Sequence, residues 1–380
     1  MSELRRTARV SLPRRLLVSG AVVALVAAVS ATAGMSSPQT ARGANSTKGL
    51  IPLTISVANY STRWADLFVA RYEGFFKKAG LNVLIENNGT SYATVELSGR
   101  ADLALSGAAG VPTLNARGQN LKIVYSSTYG DDKGYLVATS SSYHTTADLG
   151  KTGASVGIFA TGGQQNGVAQ ALSDYVVAHG GKALSLRAIT STTGDFTPLV
   201  VAGTIDTAFI DPATAAPYIQ AGKARWLTDA GPDSALMEKL VPPGIAGVDF
   251  WAPASVIQQK HDAIARFIAA LREAEHWLAS HKNATVATVL HNGVENFNLI
   301  DPALIQASLQ YDRKIWATTA HGFVSNAMWQ SSLQAWSTWG LPYKSTDPAA
   351  SYATNIDMSP WNASTKLLNK LWPQKKAKKK

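Results

Sequence analysis

Residues 53–86 read LTISVANYSTRWADLFVARYEGFFKKAGLNVLIE and contain a complete strand–helix–strand unit. Apolar and polar residues alternate over 53–57, which predicts a strand. The turn and helix-capping residues Asn-Tyr-Ser-Thr follow at 59–62, and 65–78 then has the pattern of a helix that ends at Gly80. A second strand is predicted directly after it. This unit favours an α/β fold with a largely parallel sheet.

The same alternation of strands and helices continues in two cycles. In the first cycle each strand ends in Ser, Thr, Asn or Gly and leads into a helix, so we expect several free backbone N–H groups at one edge of the sheet. The segment 134–138 is predicted to be a strand that leaves this sheet, and 155–159 begins a second sheet. An amphipathic helix is predicted over 260–280. The pattern therefore predicts two α/β lobes.

The formal charge of +10 comes from 35 Lys and Arg against 25 Asp and Glu, and it is concentrated at the two ends. The first 33 residues hold five Arg and one Glu, and the last six hold five Lys, which leaves about +1 for residues 34–374. A nucleic-acid-binding face has no electrostatic support in such a body. We expect residues 373–380 to be a solvated basic tail, with proximity to an anionic membrane as the alternative.

The N-terminal segment has the layout of a secretory signal peptide. Five Arg precede an apolar stretch at 16–29, and the small-residue pattern ATA ends at Ala33. We predict a signal peptide over 1–33, with an uncleaved membrane anchor as the alternative. Residues 34–50 are rich in Ser, Thr, Gly and Ala, which predicts a flexible spacer. The expected location is therefore periplasmic or extracellular, associated with the cell envelope.

Enzyme and metal chemistry find little support in the sequence. The chain has no Cys, which excludes disulfides, Cys-ligated metals, thiol catalysis and a lipid-modified Cys. The segment GASVG at 153–157 fits the G-x-S-x-G pattern of serine hydrolases, but Ser155 is predicted to start a strand rather than to occupy a strand-to-helix elbow. His276 and His281 are five residues apart and do not share a helix face. We expect no cofactor, no metal and no enzymatic activity, with a hydrolase acting through Ser155 as the alternative.

Four blocks resemble the substrate-binding proteins of ABC transporters for nitrate, sulfonates, taurine and related compounds, a family that also includes thiamine-precursor binders. The first is ARYEGFFKKAGLNV at 70–83, which is similar to the signature helix and strand of that family. The others are LSGRADLA at 97–104, TADLGK at 146–151 and LVVAGTIDTA at 199–208. The blocks stand in the family's order, and a looser resemblance covers about 50–300.

The resemblance implies the two-lobed periplasmic-binding-protein fold of type II, with a ligand cleft between the lobes. Two strands would cross between the lobes near 135–139 and near 248–252. The first lobe would comprise 51–138 and a helical C-terminal part at 248–372, and the second lobe would comprise 139–247. The implied partners are a small-molecule ligand and an ABC transporter permease, and we expect a monomer. The lobes would close around the ligand by a hinge motion.

Candidate ligand-binding residues lie in the loops that the resemblance places around the cleft. Helix N-termini there would offer N–H donors suited to sulfonate, carboxylate or phosphate oxygens. In the first lobe the candidates are Asn59, Tyr60, Arg63, Trp64, Ser106, Gly107 and Tyr129. In the second lobe they are Thr161, Gly162, Gly163, Gln164, Thr193 and Asp211. Trp251, on the strand that returns to the first lobe, is expected to form a wall.

Several candidates have a plain structural interpretation as well. Arg63 fits a solvated residue at a helix start, and Gly162 and Gly163 fit a tight turn. Asp211 fits a helix N-cap before Pro; if it faces the cleft, it would favour a ligand that carries an amino group beside its anion. Trp329, Leu333 and Trp336 fall at helical spacing, which favours packing over ligand stacking.

The sequence thus predicts an extracytoplasmic solute-binding protein of an ABC importer, with a small organic anion such as a sulfonate, taurine or nitrate as the ligand. A thiamine precursor or another heteroaromatic compound is the alternative ligand.

Overall fold

The computed structural model describes residues 49–159, 163–192, 194–340 and 346–373. The predicted signal peptide, nearly all of the spacer at 34–50 and the lysines of the basic tail lie outside these ranges. Within them the chain forms the strands β1 (Ile51–Val57), β2 (Leu81–Asn87), β3 (Leu103–Gly107), β4 (Leu121–Ser126), β5 (Gly134–Ala138), β6 (Ser155–Phe159), β7 (Ser185–Ile189), β8 (Thr207–Ile210), β9 (Ala224–Trp226) and β10 (Val248–Pro253).

The helices of the N-terminal half are α1 (Ala65–Tyr72), α2 (Phe75–Lys78), α3 (Tyr92–Leu97), α4 (Gly110–Asn115), α5 (Thr146–Thr152), α6 (Gln164–Ala178), α7 (Thr197–Val201) and α8 (Pro212–Gln220). Those of the C-terminal half are α9 (Ala235–Leu240), α10 (Ala254–Gln259), α11 (His261–Ser280), α12 (Asn283–Gly293), α13 (Pro302–Ile315), α14 (Asn326–Ser337), α15 (Tyr352–Asn355) and α16 (Ser359–Leu371). Two five-stranded sheets with helices packed around them confirm the predicted two-lobed α/β fold.

The first sheet has the strand order β2-β1-β3-β10-β4. β1 runs parallel to β2 and β3, as the opening strand–helix–strand unit predicts, and β10 runs antiparallel to β3 and β4. The predicted helix 65–78 is divided into α1 and α2, because Gly74 adopts a left-handed backbone (φ 74°) that no other residue type adopts as readily. The sheet is mixed rather than fully parallel because β10 returns from the second lobe.

The second sheet has the strand order β7-β6-β8-β5-β9. β6 runs parallel to β7 and β8, and β5 runs antiparallel to β8 and β9. The sequence predicts crossings near 135–139 and 248–252, but the structure places them earlier, at 127–133 and 241–247. The reason is that β5 is a buried strand paired on both sides within the second sheet, and β10 is likewise paired on both sides within the first.

The two crossing segments are hydrogen-bonded to each other. Gly247 N donates to Thr128 O (3.0 Å), and Val248 N donates to Thr128 Oγ1 (2.9 Å). Gly244 N donates to Tyr129 O (3.3 Å). A paired ribbon of this kind connects the lobes and is the place where a change in their relative orientation would be absorbed.

The C-terminal helices cover both lobes. In α14, Trp329 and Trp336 are fully buried and pack edge to face at 5.3 Å, so they form the packing stripe that their spacing predicts. Trp339 follows α14, and its Nε1 donates to Leu240 O (2.7 Å) in the second lobe. Its ring also packs against Gly167 of α6, where a Cβ would lie only 2.9 Å away. The C-terminal segment therefore contacts the second lobe as well as the first.

Candidate functional site

A cavity lies in the cleft between the lobes. Residues at the ends of β1 and β3 line it from the first sheet, and residues at the ends of β6 and β8 line it from the second. Its empty space is about 780 Å³ when the solvent at its mouth is counted. The carboxyl ends of parallel strands are the usual location of ligands in α/β proteins. The cavity is therefore the candidate binding site.

The first-lobe wall begins with the single 3₁₀ turn Thr62–Trp64, which follows β1. Ser61 caps this turn, and its Oγ accepts a hydrogen bond from Arg63 N (3.3 Å). The turn brings Arg63 and Trp64 to the cavity, where Tyr92 adds a second aromatic side chain. Two aromatic side chains and one cationic side chain therefore stand among the small, polar and aliphatic residues of this wall.

Arg63 is held by two aspartates of the first crossing segment. Its Nη2 lies 3.0 Å from Asp131 Oδ2, and its Nε lies 2.9 Å from Asp132 Oδ1. Burial opposes the charge of Arg63, but Asp131 and Asp132 outweigh burial and raise the pKa of its guanidinium. The side chain is only 2% exposed, so Arg63 is not the solvated helix-start residue that one interpretation of the sequence suggests.

Behind this cluster, the buried Asp132 lies beside the buried Asp312 of α13. Burial raises the pKa of Asp132 to about 6 even though Arg63 acts in the opposite direction. Burial and then the charge of Asp132 hold the pKa of Asp312 well above its ordinary value. Two carboxyl groups this close retain a proton between them, so the pair carries less than its formal charge.

The second-lobe wall contains the N-terminus of the 15-residue helix α6. Gly163 precedes the helix with φ 106°, a backbone angle that requires glycine. Gln164 and Gln165 form the first turn and line the cavity. Because the first N–H groups of a helix have no partner within it, this turn presents donors and a partial positive charge at the cleft.

Two carboxylates of the second lobe also line the cavity. Asp211 caps α8, with Oδ1 accepting from Thr214 N (3.0 Å) and Oδ2 accepting from Thr214 Oγ1 (2.9 Å). Asp211 is thus both a helix cap and a cavity residue. Asp195 Oδ1 accepts from Thr197 N (2.7 Å), and burial raises the pKa of Asp195, with a smaller contribution from Asp211.

The lobes are in direct contact at the mouth of the cleft. Thr90 of the first lobe donates its N–H to Ser191 O of the second (3.0 Å). A methyl group at Gly89 would overlap the carbonyl oxygens of Ser191 and Thr192, so this approach requires glycine. Gly194 of the second lobe is similarly close to Ala58 O of the first. The structure therefore represents a closed arrangement of the two lobes.

Comparison with known proteins connects this architecture to a family. The NMT1/THI5 like family matches residues 61–285, which is more than half of the chain. The chain belongs to the NMT1/THI5 like family. The matched region contains the strands β2 to β10 and the cavity residues from Arg63 onward, whereas β1 and the cavity residues Ala58 and Asn59 precede it. No curated protein matches the chain in sequence.

Solved structures share the fold at low sequence identity. The alkanesulfonate-binding protein SsuA from Xanthomonas axonopodis pv. citri, bound to MOPS, aligns with a TM-score of 0.58 and 15% identity over 77% of this chain and 94% of its own. The nitrate-binding protein NrtA from Synechocystis PCC 6803 aligns with a TM-score of 0.62 and 14% identity over 84% of this chain and 89% of its own. A Candida albicans gene product, described as having the generic periplasmic binding protein fold, aligns with a TM-score of 0.62 and 11% identity. The alignment covers 81% of this chain and 97% of that protein. These similarities establish the fold of periplasmic binding proteins.

The structure brings together most of the predicted site residues that it describes. Those that line the cavity are Asn59, Arg63, Trp64, Ser106, Gly107, Gly163, Gln164 and Asp211. Thr161, Gly162 and Thr193 lie outside the described residues.

Three predicted residues lie away from the cavity surface. Tyr60 packs edge to face on Phe68 in the core of the first lobe (5.6 Å between ring centroids). Tyr129 donates its hydroxyl to Phe323 O (2.9 Å). Trp251 is not a wall of the cavity, because it lies behind Ser106 and donates its Nε1 to Ser106 Oγ (2.9 Å). Each of these side chains supports a neighbour rather than facing the cleft.

Several cavity residues are not among the candidates predicted from the sequence. Asp131 and Lys133 lie on the crossing segment, Asp195 follows a loop glycine, and Tyr92, Phe159, Phe209 and Gln165 also line the cavity. The signal for the first two was the run Asp131-Asp132-Lys133, a dense charge cluster in a chain with only 16% charged residues. The aromatic residues carry no such signal, since buried aromatic residues of a core have the same sequence pattern.

The hydrolase alternative has no matching geometry in the described residues. Ser155 begins β6, whereas Phe159, four residues further along the same strand, lines the cavity. At about 3.3 Å per residue, Ser155 lies roughly 13 Å from that end of the strand. Its Oγ donates to Asp206 Oδ2 (2.7 Å). The described part of the chain also contains no group of three or more acidic or His side chains arranged to hold a metal ion.

Proposed function

We propose that the protein is the extracytoplasmic solute-binding component of an ABC importer, and that its cleft captures a small organic anion that also carries an amino group. The observation that carries this proposal is a cavity lined by residues of both lobes and by charged groups of both signs. The names of two structural neighbours, alkanesulfonate-binding SsuA and nitrate-binding NrtA, support an anionic component of the ligand.

The N-terminus of α6 suits the anionic end of such a ligand. The N–H groups of its first turn have no partner within the helix and point along the helix axis at the end that lines the cavity, and each favourable anion–helix contact contributes about 0.3–1 kcal/mol, more when water is excluded. Gly163 leaves the approach to these donors free of a side chain, and a Cβ placed there would meet nothing within 4 Å. A sulfonate or carboxylate would therefore find both donors and space.

The carboxylates Asp195 and Asp211 suit the amino end. A ligand with only negative charge would be repelled by these two groups in a site of low dielectric constant. An ammonium group on the same ligand would instead pair with them, in charge-assisted hydrogen bonds of about 1.5–3 kcal/mol each. The charges of the cavity thus support an aminosulfonate such as taurine over a simple sulfonate or nitrate.

A matched series of ligands tests the proposal. Taurine, isethionate and ethanesulfonate share the same sulfonate and chain length but end in an ammonium, a hydroxyl and a methyl group. We expect titration calorimetry on the mature protein to give the tightest binding for taurine, by about tenfold or more. Equal affinity for all three compounds would contradict a role for the acidic pair.

Asp211→Asn sharpens the test, since Asn also caps helices well and keeps the α8 N-terminus satisfied. The variant is expected to lose the preference for taurine while it keeps its thermal stability. Asp301→Asn is the matched control, because Asp301 caps α13 by accepting from Ala303 N (2.8 Å) and does not line the cavity.

A heteroaromatic ligand is the second candidate, and the walls of the cavity support it. Trp64, Tyr92, Phe159 and Phe209 supply aromatic surface from both lobes. A flat ring with amino substituents would use these walls together with the same two carboxylates. This alternative would be established if an aminopyrimidine raised the melting temperature of the protein and sulfonates did not. Recovery of the compound unchanged would separate binding from catalysis.

Export is part of the proposal. The predicted signal peptide and the basic tail lead us to propose a periplasmic or extracellular monomer held near the membrane. No helix of the described residues is long and apolar enough to cross a membrane. Cell fractionation of the full chain and of a variant that lacks residues 375–380 tests the tail. A shift of the truncated variant to the soluble fraction supports a role in membrane proximity, and an unchanged distribution excludes that role.

A further inference from the structure

Two cationic side chains among the described residues line the cavity, Arg63 and Lys133, and they differ in their partners. Arg63 is 2% exposed and is already ion-paired with Asp131 and Asp132 at 3.0 and 2.9 Å. An anion that approached it would have to compete with two carboxylates that the fold holds in place. Arg63 therefore acts as a structural cation that neutralises the crossing segment.

Lys133 is in a different situation. It lies on the same crossing segment and lines the cavity, with its Nζ 5.4 Å from the centroid of the Phe209 ring. None of the ion pairs formed by the described residues includes Lys133. The aromatic face of Phe209 retains the ammonium in the cleft by a cation–π contact, which is weaker than a carboxylate partner and leaves the N–H donors available.

The neighbouring carboxylate is occupied elsewhere. Asp131 Oδ2 forms the ion pair with Arg63 and also accepts a hydrogen bond from Gln164 Nε2 (2.9 Å). Its Oδ1 accepts a hydrogen bond from the backbone N of Lys133 (3.2 Å). Burial lowers the pKa of Lys133, and the charge of Asp131 offsets this only in part. A half-buried ammonium without a paired anion is unfavourable, and a ligand anion would relieve that cost.

The position of Lys133 also links the ligand to both lobes. The hydrogen bond from Gln164 to Asp131 brings the first turn of α6 beside the crossing segment. An anion held between that turn and Lys133 would touch the second lobe and the connection between the lobes at once. Its charge would thereby favour the closed arrangement.

We infer that Lys133 is the specificity-determining residue for the anionic group of the ligand: its ammonium forms an ion pair with the sulfonate or carboxylate, which also accepts N–H donors from the first turn of α6. This inference rests on the proposed function, since it concerns the same cleft and ligand. It separates the two cations of the cavity by role, with Arg63 structural and Lys133 in contact with ligand.

Titration calorimetry of taurine, ethanesulfonate and an aminopyrimidine against three variants tests the inference. Lys133→Met keeps the length of the side chain without its charge, and Lys133→Arg keeps the charge. Lys223→Met is the matched control, because Lys223 is exposed in the second lobe and does not line the cavity. Melting temperatures of the unliganded variants establish that each is folded.

For the sulfonates that the wild type binds, Lys133→Met is expected to weaken binding about tenfold or more, with Lys133→Arg less affected and Lys223→Met unchanged. The affinity of Lys133→Met should also fall less steeply with added salt, because an ion pair has been removed. Sulfonate binding by wild type and Lys133→Met with equal affinity would overturn the inference and leave the proposed function intact. Failure of the wild type to bind any sulfonate would overturn the proposed ligand class, and this inference with it.

Discussion

Arg63 and Asp131 form an ion pair (Nη2 to Oδ2, 3.0 Å) at the point where the first lobe meets the crossing segment. The same Asp131 oxygen accepts a hydrogen bond from Gln164 Nε2 of the second lobe (2.9 Å). One carboxylate oxygen therefore connects a residue of each lobe. Because this contact lies at the cavity, the stability of the fold and the closure of the cleft depend on the same few side chains.

Arg63→Met should destabilise the protein strongly. It leaves Asp131 and Asp132 buried without their cation, and the loss of one partner from a buried ion pair costs about 3–5 kcal/mol. The free energy of unfolding in urea measures the effect. Arg266→Met is the control, since Arg266 of α11 pairs with the largely exposed Asp262 and donates to Ala79 O (3.1 Å), so its loss should cost about 1–2 kcal/mol. Equal effects of the two changes would contradict a structural role for Arg63.

Gln164→Met should weaken ligand binding with little change in unfolding free energy. It removes the hydrogen bond from α6 to Asp131, worth about 0.5–1.5 kcal/mol, from the closed arrangement. The expected signs are a several-fold higher Kd and a larger radius of gyration in small-angle scattering. Gln170→Met is the control on the same helix, because Gln170 is only partly buried and its side chain, among the described residues, bonds to Asp174 within α6. Identical scattering and Kd for both variants would show that the contact does not control closure.

Gly89→Ala should hold the cleft open. Gly89 has φ +52°, and a Cβ there would overlap carbonyl oxygens of Ser191 and Thr192 across the cleft. Gly99→Ala is a close control: it has φ +76° and therefore similar backbone strain, but a Cβ there would meet nothing within 4 Å. Both variants should lose about 1 kcal/mol of stability from that strain, whereas only Gly89→Ala should also lose ligand affinity. Comparable Kd values for the two would count against the closed arrangement being the liganded one.

Stability should fall as the pH rises from about 5 to about 8. Burial raises the pKa of Asp66, Glu96 and Asp249 to about 8 each, with smaller contributions from Glu275 to Asp66 and from Asp102 to Glu96. In the unfolded chain these groups titrate near pH 4, so between the two values the native state binds more protons. Each group then removes up to about 1.4 kcal/mol of stability per pH unit. Urea unfolding at pH 5 and pH 8 measures the difference.

Asp249→Asn should reduce this pH dependence, because it replaces a fully buried carboxyl group with a neutral group of the same shape. Asp148→Asn is the opposite case, since hydrogen bonds from Lys151 and from the backbone of His144 and Thr145 lower the pKa of Asp148. That change should leave the slope between pH 5 and pH 8 unaltered. A wild-type stability that rises over this interval would show that the buried carboxyl groups are ionised in the fold.

The predictions from sequence succeed where a local pattern has one physical interpretation. The alternation at 53–57 and the cap before α1 identify the first unit of the sheet, and Asp211 before Pro identifies the start of α8. The predictions fail where strand pairing determines the lobe to which a segment belongs. The segment 134–138 is a strand as predicted, but its hydrogen bonds to β8 and β9 place it in the second lobe. Trp251 lies near the expected place, yet its indole donates to Ser106 behind the cavity wall.

The sequence by itself determined the α/β class and the two sheets, because strand alternation, helix capping and glycine at chain turns are local properties, and the family resemblance implied which loops surround the cleft. Only the tertiary structure decided which charges meet in the cavity. Arg63 is 68 residues from Asp131, and Gln164 is another 33 residues further on, so their contact depends on the crossing segments that bring the lobes together. Burial then determines that Arg63 is already paired and Lys133 is not, and no local pattern contains that difference.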